Sequence, residues 1–338
     1  MGNSSAKDPK DTPKRLTCLT SRDSSSSSLP STPSIKESYS FANLFYKVAS
    51  IFCCPPTRSS IVRKLAFHPP IPATYCLIED PTAEFGLRIK ANRRRVMRDY
   101  PNFNACSQKA DVFFVRKKDG NVLTSLRVKK PVKDKSERGK ASNLVIIYSH
   151  PNAIDLGDVL PLAIDFSKTF SCDFVSYDYT GYGPNLGEPS EAELLCDGES
   201  VFQHVRTVFK VKLSQIVLFG ESIGSVPSVY LATRYKVRGL ILQGAIASGI
   251  KVIFPFVNIN PFGLDCFRNI ERISNTLCPV LFVHGTNDEI CDFKDAKNMY
   301  ERCPSAVKPL WLLGAGHNDC ADHESYEKRI RIFLTKQG

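Results

Sequence analysis

Residues 216–235, IVLFGESIGSVPSVYLATRY, decide how this chain of 338 residues folds. The apolar run Ile216–Phe219 predicts a buried strand, and the end of the stretch is typical of a helix. Between them lies Gly220–Gly224, in which a glycine stands two places on either side of a serine. A strand that turns this sharply into a helix strains its central residue and leaves no room for larger side chains at the glycine positions. The stretch therefore predicts a nucleophile elbow, with Ser222 at its tip and the N–H of Ile223 at a helix N-terminus.

Short apolar runs alternate with helical segments around this elbow. We expect strands at Asp111–Arg116, Val122–Val128, Leu144–Tyr148, Phe174–Tyr177, Ile216–Phe219, Leu240–Leu242, Val280–Val283 and Leu310–Leu313. We expect helices near 156–169, 190–209, 223–235, 292–301 and 322–334. Strands buried on both faces read as continuous apolar runs, so the alternation predicts an α/β-hydrolase fold, a mostly parallel central sheet flanked by helices.

The partners of a serine on this fold follow it in the order acid, then histidine. Asp288 comes directly after one predicted strand, and His317 comes after the next. Parallel strands build their sites where their carboxyl ends meet, so we expect both side chains beside Ser222. His317 is the candidate general base, and Asp288 is the candidate acid that fixes its tautomer.

Other acidic and imidazole side chains lie close by in the sequence. We expect Asp292 to cap a helix, Asp319 to be a surface carboxylate and His284 to be structural beside its turn glycine.

A second N–H donor to an oxyanion is expected from the loop after Leu144–Tyr148, which reads His-Pro-Asn-Ala at 150–153. Pro151 has no N–H and replaces the usual glycine, so Asn152 or Ala153 is the candidate donor beside Ile223. If Pro151 distorts this turn, the loss of one donor would cost about 10²–10³ in rate.

The first 64 residues differ from the rest in composition. Residues 1–40 are rich in Ser, Thr, Pro and Lys, which predicts a disordered tail. Residues 41–64 contain an apolar stretch too short to span a bilayer, followed by Cys53 and Cys54, and so predict a membrane-anchoring interfacial segment with two S-palmitoylation candidates. Gly2 lies in an imperfect myristoylation signal. Residues 65–338 are expected to form the hydrolase domain, with a basic N-terminal extension at 65–110.

The chain has a formal charge of +11, and its basic excess lies in the first 140 residues, because residues 141–338 carry 18 basic against 22 acidic side chains. This asymmetry is typical of a surface that meets an anionic membrane, or else of a solvated charged face. No recognised motif accompanies the charge, so we expect no nucleic-acid partner.

The 12 cysteines include no CxxC pair and no Cys/His set with zinc spacing, and we expect neither a metal nor a cofactor. No signal peptide is recognisable, which favours reduced thiols in the cytosol.

Several segments give the chain a specific resemblance to a known family. They are Cys53–Pro56, Lys64–Phe67, Asn152–Gly157, Ser176–Tyr179 with Gly181–Gly183, Gly220–Gly224, His284–Thr286, Met299–Pro304 and Gly314–Asp319. The chain resembles the alpha/beta-hydrolase domain-containing protein 17 family of membrane-bound protein depalmitoylases. The resemblance implies hydrolysis of the thioester between palmitate and a protein cysteine. It also implies S-acylated membrane proteins as substrates and palmitoylation of the enzyme at Cys53 and Cys54, which would place it on the cytoplasmic face of the plasma or an endosomal membrane.

The span from Gly244 to Cys278 is long enough for a small cap over the site. We expect the acyl chain to be lined by apolar side chains of this span, namely Ile246, Ile253, Phe254, Phe256 and Phe262. The same catalytic residues would also suit a carboxylesterase, a monoacylglycerol lipase or a peptidase. A non-catalytic membrane scaffold is a further alternative, supported only by Pro151, and the sequence leaves the oligomeric state open.

Overall fold

The computed structural model describes residues 63–92, 94–131, 143–249, 252 and 265–336. The predictions for the tail, the anchoring segment, Gly2, Cys53 and Cys54 lie outside these residues. So do Ile253, Phe254, Phe256 and Phe262 of the predicted acyl pocket.

Ten strands are formed by the described residues. They are β1 (Tyr75–Glu79), β2 (Leu87–Ala91), β3 (Ala110–Arg116), β4 (Val122–Val128), β5 (Val145–Ser149), β6 (Asp173–Tyr177), β7 (Ile216–Glu221), β8 (Gly239–Gln243), β9 (Val280–Gly285) and β10 (Leu310–Leu312). The last eight form one sheet in the order β10-β9-β8-β7-β5-β6-β4-β3. In this sheet β4 alone runs opposite to the other seven strands. The mostly parallel sheet predicted from the apolar runs is confirmed.

The helices cover both faces of this sheet. They are α1 (Arg94–Asp99), α2 (Phe103–Ser107), α3 (Leu156–Phe170), α4 (Glu191–Thr207), α5 (Ser225–Arg234), α6 (Asn269–Arg272), α7 (Phe293–Arg302) and α8 (Ser325–Lys336). Short 3₁₀ turns occur at Leu213–Gln215, Ser222–Gly224, Ile273–Asn275 and Cys320–Asp322.

The hydrophobic core consists of two clusters separated by the sheet. In β7, Ile216 and Leu218 belong to one cluster, and Val217 and Phe219 belong to the other. All four side chains are buried, which explains why the strand reads as an uninterrupted apolar run. Because the strand is held on both faces, the position of its carboxyl end is fixed.

Residues 65–110 contain structure that the sequence pattern did not indicate. Here β1 and β2 form a separate antiparallel pair, with Tyr75 opposite Ala91 and Glu79 opposite Leu87. The charged Arg88 interrupts the apolar pattern of β2, yet its guanidinium is buried and donates to Ala110 O at 2.7 Å. The guanidinium also donates to Asp80 Oδ2 at 3.1 Å. A buried arginine satisfied by a carboxylate and by carbonyls is not visible as a strand signal in sequence.

The β3–β4 turn is joined to α4 by a buried ion pair. Lys117 Nζ lies 2.7 Å from Asp197 Oδ1, and neither side chain is exposed. Lys117 also donates to Thr180 Oγ1 at 2.9 Å and to Glu193. The antiparallel edge of the sheet is thereby fixed to the helical layer.

Candidate active site

Ser222 lies at a sharp turn between β7 and α5. Its backbone has φ +51°, a left-handed conformation that costs a non-glycine residue about 1–2 kcal/mol. The side chain sits at the carboxyl end of the sheet and is 6% exposed. Such strain persists only where the surroundings impose it.

The two flanking glycines show what imposes this turn. A Cβ on Gly220 would lie 2.5 Å from Gly224 O and 2.6 Å from Ser225 Cα. A Cβ on Gly224 would lie 1.9 Å from Ser149 O. The elbow therefore rests directly on the end of β5, and only glycine fits at either position.

Asp288, in the loop after β9, and His317, in the loop after β10, form a hydrogen-bonded pair. His317 Nδ1 lies 2.8 Å from Asp288 Oδ2, in the loops that follow β10 and β9. The other carboxylate oxygen, Oδ1, accepts the N–H groups of Ile290 at 2.9 Å and Cys291 at 2.8 Å. The Asp288 side chain is fully buried and that of His317 nearly so. Two backbone donors thus orient the carboxylate that orients the imidazole.

The electrostatics of this pair favour the charged forms of both groups. Burial acts to lower the pKa of His317, but the hydrogen bond and negative charge of Asp288 outweigh it and raise that pKa above its ordinary value. Burial likewise acts to raise the pKa of Asp288, and the interactions with His317 reverse the effect and lower it. The pair is suited to accept a proton on the imidazole while the carboxylate stays ionised.

The neighbouring groups lie as the sequence predicted. Asp292 caps α7 by accepting from Lys294 N at 2.7 Å, and Asp319 is exposed. His284 Nε2 contacts Cys291 O at 2.8 Å, and burial lowers the pKa of this imidazole. His284 also lies 3.3 Å from Asp288 Oδ2, a contact that the sequence did not indicate.

Gly244, immediately after β8, was missed by sequence reasoning. It has φ +52°, and a Cβ there would lie 3.0 Å from His317 Cε1 and 3.1 Å from Nδ1. Since β8 is the strand next to β7, this contact brings His317 back across the sheet edge toward the strand that carries Ser222. The only available signal was a glycine directly after an apolar strand.

Glu221, the residue before the serine, is the second group that sequence reasoning left out. It accepts the Tyr148 hydroxyl at 2.6 Å, and burial raises the pKa of its carboxyl. Its negative charge also acts to raise the pKa of His317.

The loop at 150–153 is ordered by the Asn152 side chain. Ala153 has φ +63°, and its N–H donates to Asn152 Oδ1 at 3.0 Å. Among the described residues, the N–H group of Asn152 has no hydrogen-bond acceptor. Contact of the Gly224 position with Ser149 O brings this loop and the elbow to the same sheet edge. Of the two candidate donors in the loop, Asn152 therefore has the available N–H.

The part of the chain that the structure describes holds neither a metal-type cluster nor a membrane-spanning helix. No cluster of three or more His, Cys, Asp or Glu side chains there has the arrangement of a metal site. None of the helices described is both long and apolar enough to cross a bilayer.

The sheet order, the strained serine between β7 and α5 and the His–Asp pair after the last two strands define an α/β hydrolase. The fold is shared with solved structures of low sequence identity. An esterase of Pyrococcus furiosus matches with a TM-score of 0.55 at 15% identity, over 69% of this chain and 92% of that one. The DcsB structure, solved with a substrate analogue, matches with a TM-score of 0.52 at 15% identity, over 68% and 100%.

Relatives in sequence identify the family. The chain is 36% identical to alpha/beta hydrolase domain-containing protein aho-3 of Caenorhabditis elegans, over 93% of this chain and 90% of the relative. It is 37% identical to protein 17C of Xenopus tropicalis (85% and 93% covered) and 33% identical to protein 17B of Homo sapiens (87% and 97% covered). No family model matches. The chain belongs to the alpha/beta hydrolase domain-containing protein 17 family.

Proposed function

We propose that the protein is a serine hydrolase that removes palmitate from cysteines of membrane proteins through a Ser222–His317–Asp288 triad. The observation that carries the proposal is the conformation of Ser222, whose φ of +51° is held between β7 and α5 by the close contacts of Gly220 and Gly224. The buried Asp288–His317 hydrogen bond supports the same reading, because a general base needs a fixed tautomer.

The reaction begins with attack of Ser222 Oγ on the thioester carbonyl carbon, while His317 Nε2 takes the hydroxyl proton. The tetrahedral intermediate collapses, the C–S bond breaks, and the proton passes from His317 to the departing cysteine sulfur. Water then attacks the acyl-serine, gives its proton to His317, and releases palmitate with a regenerated Ser222 hydroxyl. Asp288 stays ionised throughout and stabilises the imidazolium.

The oxyanion of each tetrahedral intermediate would accept hydrogen bonds from Ile223 N–H and Asn152 N–H. The Asn152 N–H has no acceptor among the described residues, as a donor reserved for a substrate requires. Ile223 also lies at the start of the turn that leads into α5, where backbone N–H groups favour negative charge.

A lipid-bearing substrate is supported by the residues around the site. Ile290 and Leu313 lie in the loops that carry Asp288 and His317, and they are 42% and 86% exposed. Exposed apolar side chains next to a site suit a substrate that is presented at a membrane surface. The likeness of the Cys53–Pro56 and Met299–Pro304 segments to the depalmitoylase family supports the palmitoyl thioester.

A substrate panel tests the activity. We expect the full chain to cleave a palmitoyl-cysteine thioester on a membrane-bound protein in preference to a matched oxyester and a peptide. Ser222→Ala should abolish turnover and fluorophosphonate labelling while leaving the unfolding temperature within a few degrees. Turnover confined to soluble short-chain esters would refute the palmitoyl substrate, and labelling that persists in Ser222→Ala would refute the nucleophile.

Attachment to the cytoplasmic face of a membrane through acylated Cys53 and Cys54, with Gly2 as a further acylation site, is part of the same proposal. One acyl chain binds membranes only marginally, so at least two signals are required. Mass spectrometry before and after hydroxylamine treatment tests it, because thioester-linked palmitate is removed and an amide-linked myristoyl group is not. Absence of acyl groups on Cys53 and Cys54 in protein purified from cells would refute the anchor.

A further inference from the structure

The side chain of Asn152 is fully engaged by a segment more than 80 positions earlier in the chain. Its Nδ2 donates to Ala66 O at 2.8 Å and to His68 Nδ1 at 3.1 Å. Its Oδ1 accepts the His68 N–H at 3.0 Å. One amide group therefore bridges the backbone on both sides of Phe67.

The same Oδ1 accepts two further donors from the site side. The Tyr182 hydroxyl donates at 2.6 Å, and Ala153 N–H donates at 3.0 Å. Both amide hydrogens of Asn152 and its carbonyl oxygen are thus in use, which fixes the plane of the amide. Because the side-chain amide cannot rotate, it also restrains the backbone of Asn152, including the direction of its N–H.

Phe67 anchors the early segment between these two hydrogen-bonding groups. Its ring is 5% exposed and packs edge-on against Phe267, with centroids 5.6 Å apart and an interplanar angle of 80°. Phe267 follows β8 in the region before α6. The segment is consequently held both by this aromatic contact and by the hydrogen bonds to Asn152.

We propose that Ala66–His68 and Tyr182 act through the Asn152 side chain to aim the Asn152 N–H at the oxyanion. The inference rests on the proposed function, since it assigns these residues as positioning residues for one donor of that site. It explains how the loop presents a donor although Pro151 has none. A donor misplaced by about 1 Å costs about 10²-fold in rate, so the hydrogen bonds that fix it affect turnover directly.

Asn152→Ala gives the decisive measurement, because alanine keeps the backbone N–H and removes only the side-chain amide whose hydrogen bonds position it. We expect kcat on a short-chain ester to fall about 100-fold while KM changes less than about twofold, since the donor acts mainly in the transition state. Affinity for an alkyl boronic acid, which forms a tetrahedral adduct on Ser222, should fall by the same factor. Tyr182→Phe removes one of the three donors to Oδ1 and should lower kcat about threefold to tenfold.

Tyr235→Phe is the matched control. Its hydroxyl donates to Glu199 at 2.6 Å at the end of α5, away from the loop, so its loss should leave kcat unchanged. Phe67→Ala should lower kcat with the same KM split, and Phe67→Leu should restore most of it by refilling the space against Phe267.

Unchanged kcat in folded Asn152→Ala, or a loss of kcat unaccompanied by weaker boronate affinity, would overturn the inference. The short-chain ester makes this test independent of the palmitoyl substrate. Failure to cleave a palmitoyl thioester would count against the proposed function, whereas insensitivity of ester turnover to Asn152→Ala would count against the positioning role alone.

Discussion

Replacing Gly244 by alanine should damage catalysis through the imidazole it faces. The new Cβ would lie 3.0 Å from His317 Cε1, 3.1 Å from Nδ1 and 3.6 Å from Asp288 Oδ2. Ordinary contact with a Cβ begins at 3.4 Å, so the imidazole must retreat by about 0.4 Å. That retreat acts directly on the 2.8 Å hydrogen bond between His317 and Asp288.

Gly244→Ala should have two separate effects, one on the free energy of unfolding and one on kcat. The left-handed backbone at φ +52° should lower the free energy of unfolding by about 1–2 kcal/mol when glycine becomes alanine. Displacement of His317, the proposed base, should lower kcat about tenfold, because a misplacement of about 1 Å costs about 10²-fold. The first cost follows from conformation alone and the second from the contact with His317.

Gly86→Ala separates these two costs. Gly86 has φ +73°, and no heavy atom lies within 4 Å of the position its Cβ would take. Urea unfolding and ester hydrolysis should show similar destabilisation in both variants, with loss of kcat in Gly244→Ala only. Equal kcat in the two variants would refute the argument, because it would mean that His317 accommodates the methyl group without losing its alignment.

Two further predictions concern buried charges. Asp288→Asn should lower kcat about 10⁴-fold. As the proposed base, His317 must be neutral for turnover. Because Asp288 raises the pKa of His317, wild-type activity should be lost on acidification at a higher pH than for an ordinary histidine, and the midpoint of the pH–rate profile should move to lower pH in the variant. An unmoved midpoint would count against the pairing. Lys117→Met should cost about 3–5 kcal/mol of unfolding free energy, because the buried Asp197 carboxylate loses its cationic partner. Lys129→Met, at a half-exposed pair, should cost less than about 1 kcal/mol by the same urea titration; equal losses would refute the role of burial.

The sequence predicted those parts of the fold whose signal is local. Continuous apolar runs identified the parallel strands, and the Gly220–Gly224 pattern identified the elbow, because each reflects sterics within a few residues. The order of Asp288 and His317 along the chain also pointed to two side chains that the structure joins by a hydrogen bond.

What the sequence missed depends on contacts between distant segments. The strand β2 was hidden by Arg88, whose burial is satisfied by the Asp80 carboxylate and by carbonyls that only the folded chain supplies. The engagement of Asn152 by Ala66 and His68 joins positions 84 and 86 residues apart, and no local pattern marks it. Gly244 could not be identified from the sequence, because a glycine directly after a strand occurs in many structural contexts.

The contact of the elbow with β5 has a genetic consequence. A Cβ on Gly224 would lie 1.9 Å from Ser149 O, so any other residue there separates the elbow from the sheet that supports it. Alleles at Gly224 should therefore lower the abundance of the protein and behave as recessive losses. An allele that changes Ser222 to alanine keeps the folded surface without the proposed nucleophile, and when overproduced it should occupy substrates and act dominantly over the normal copy.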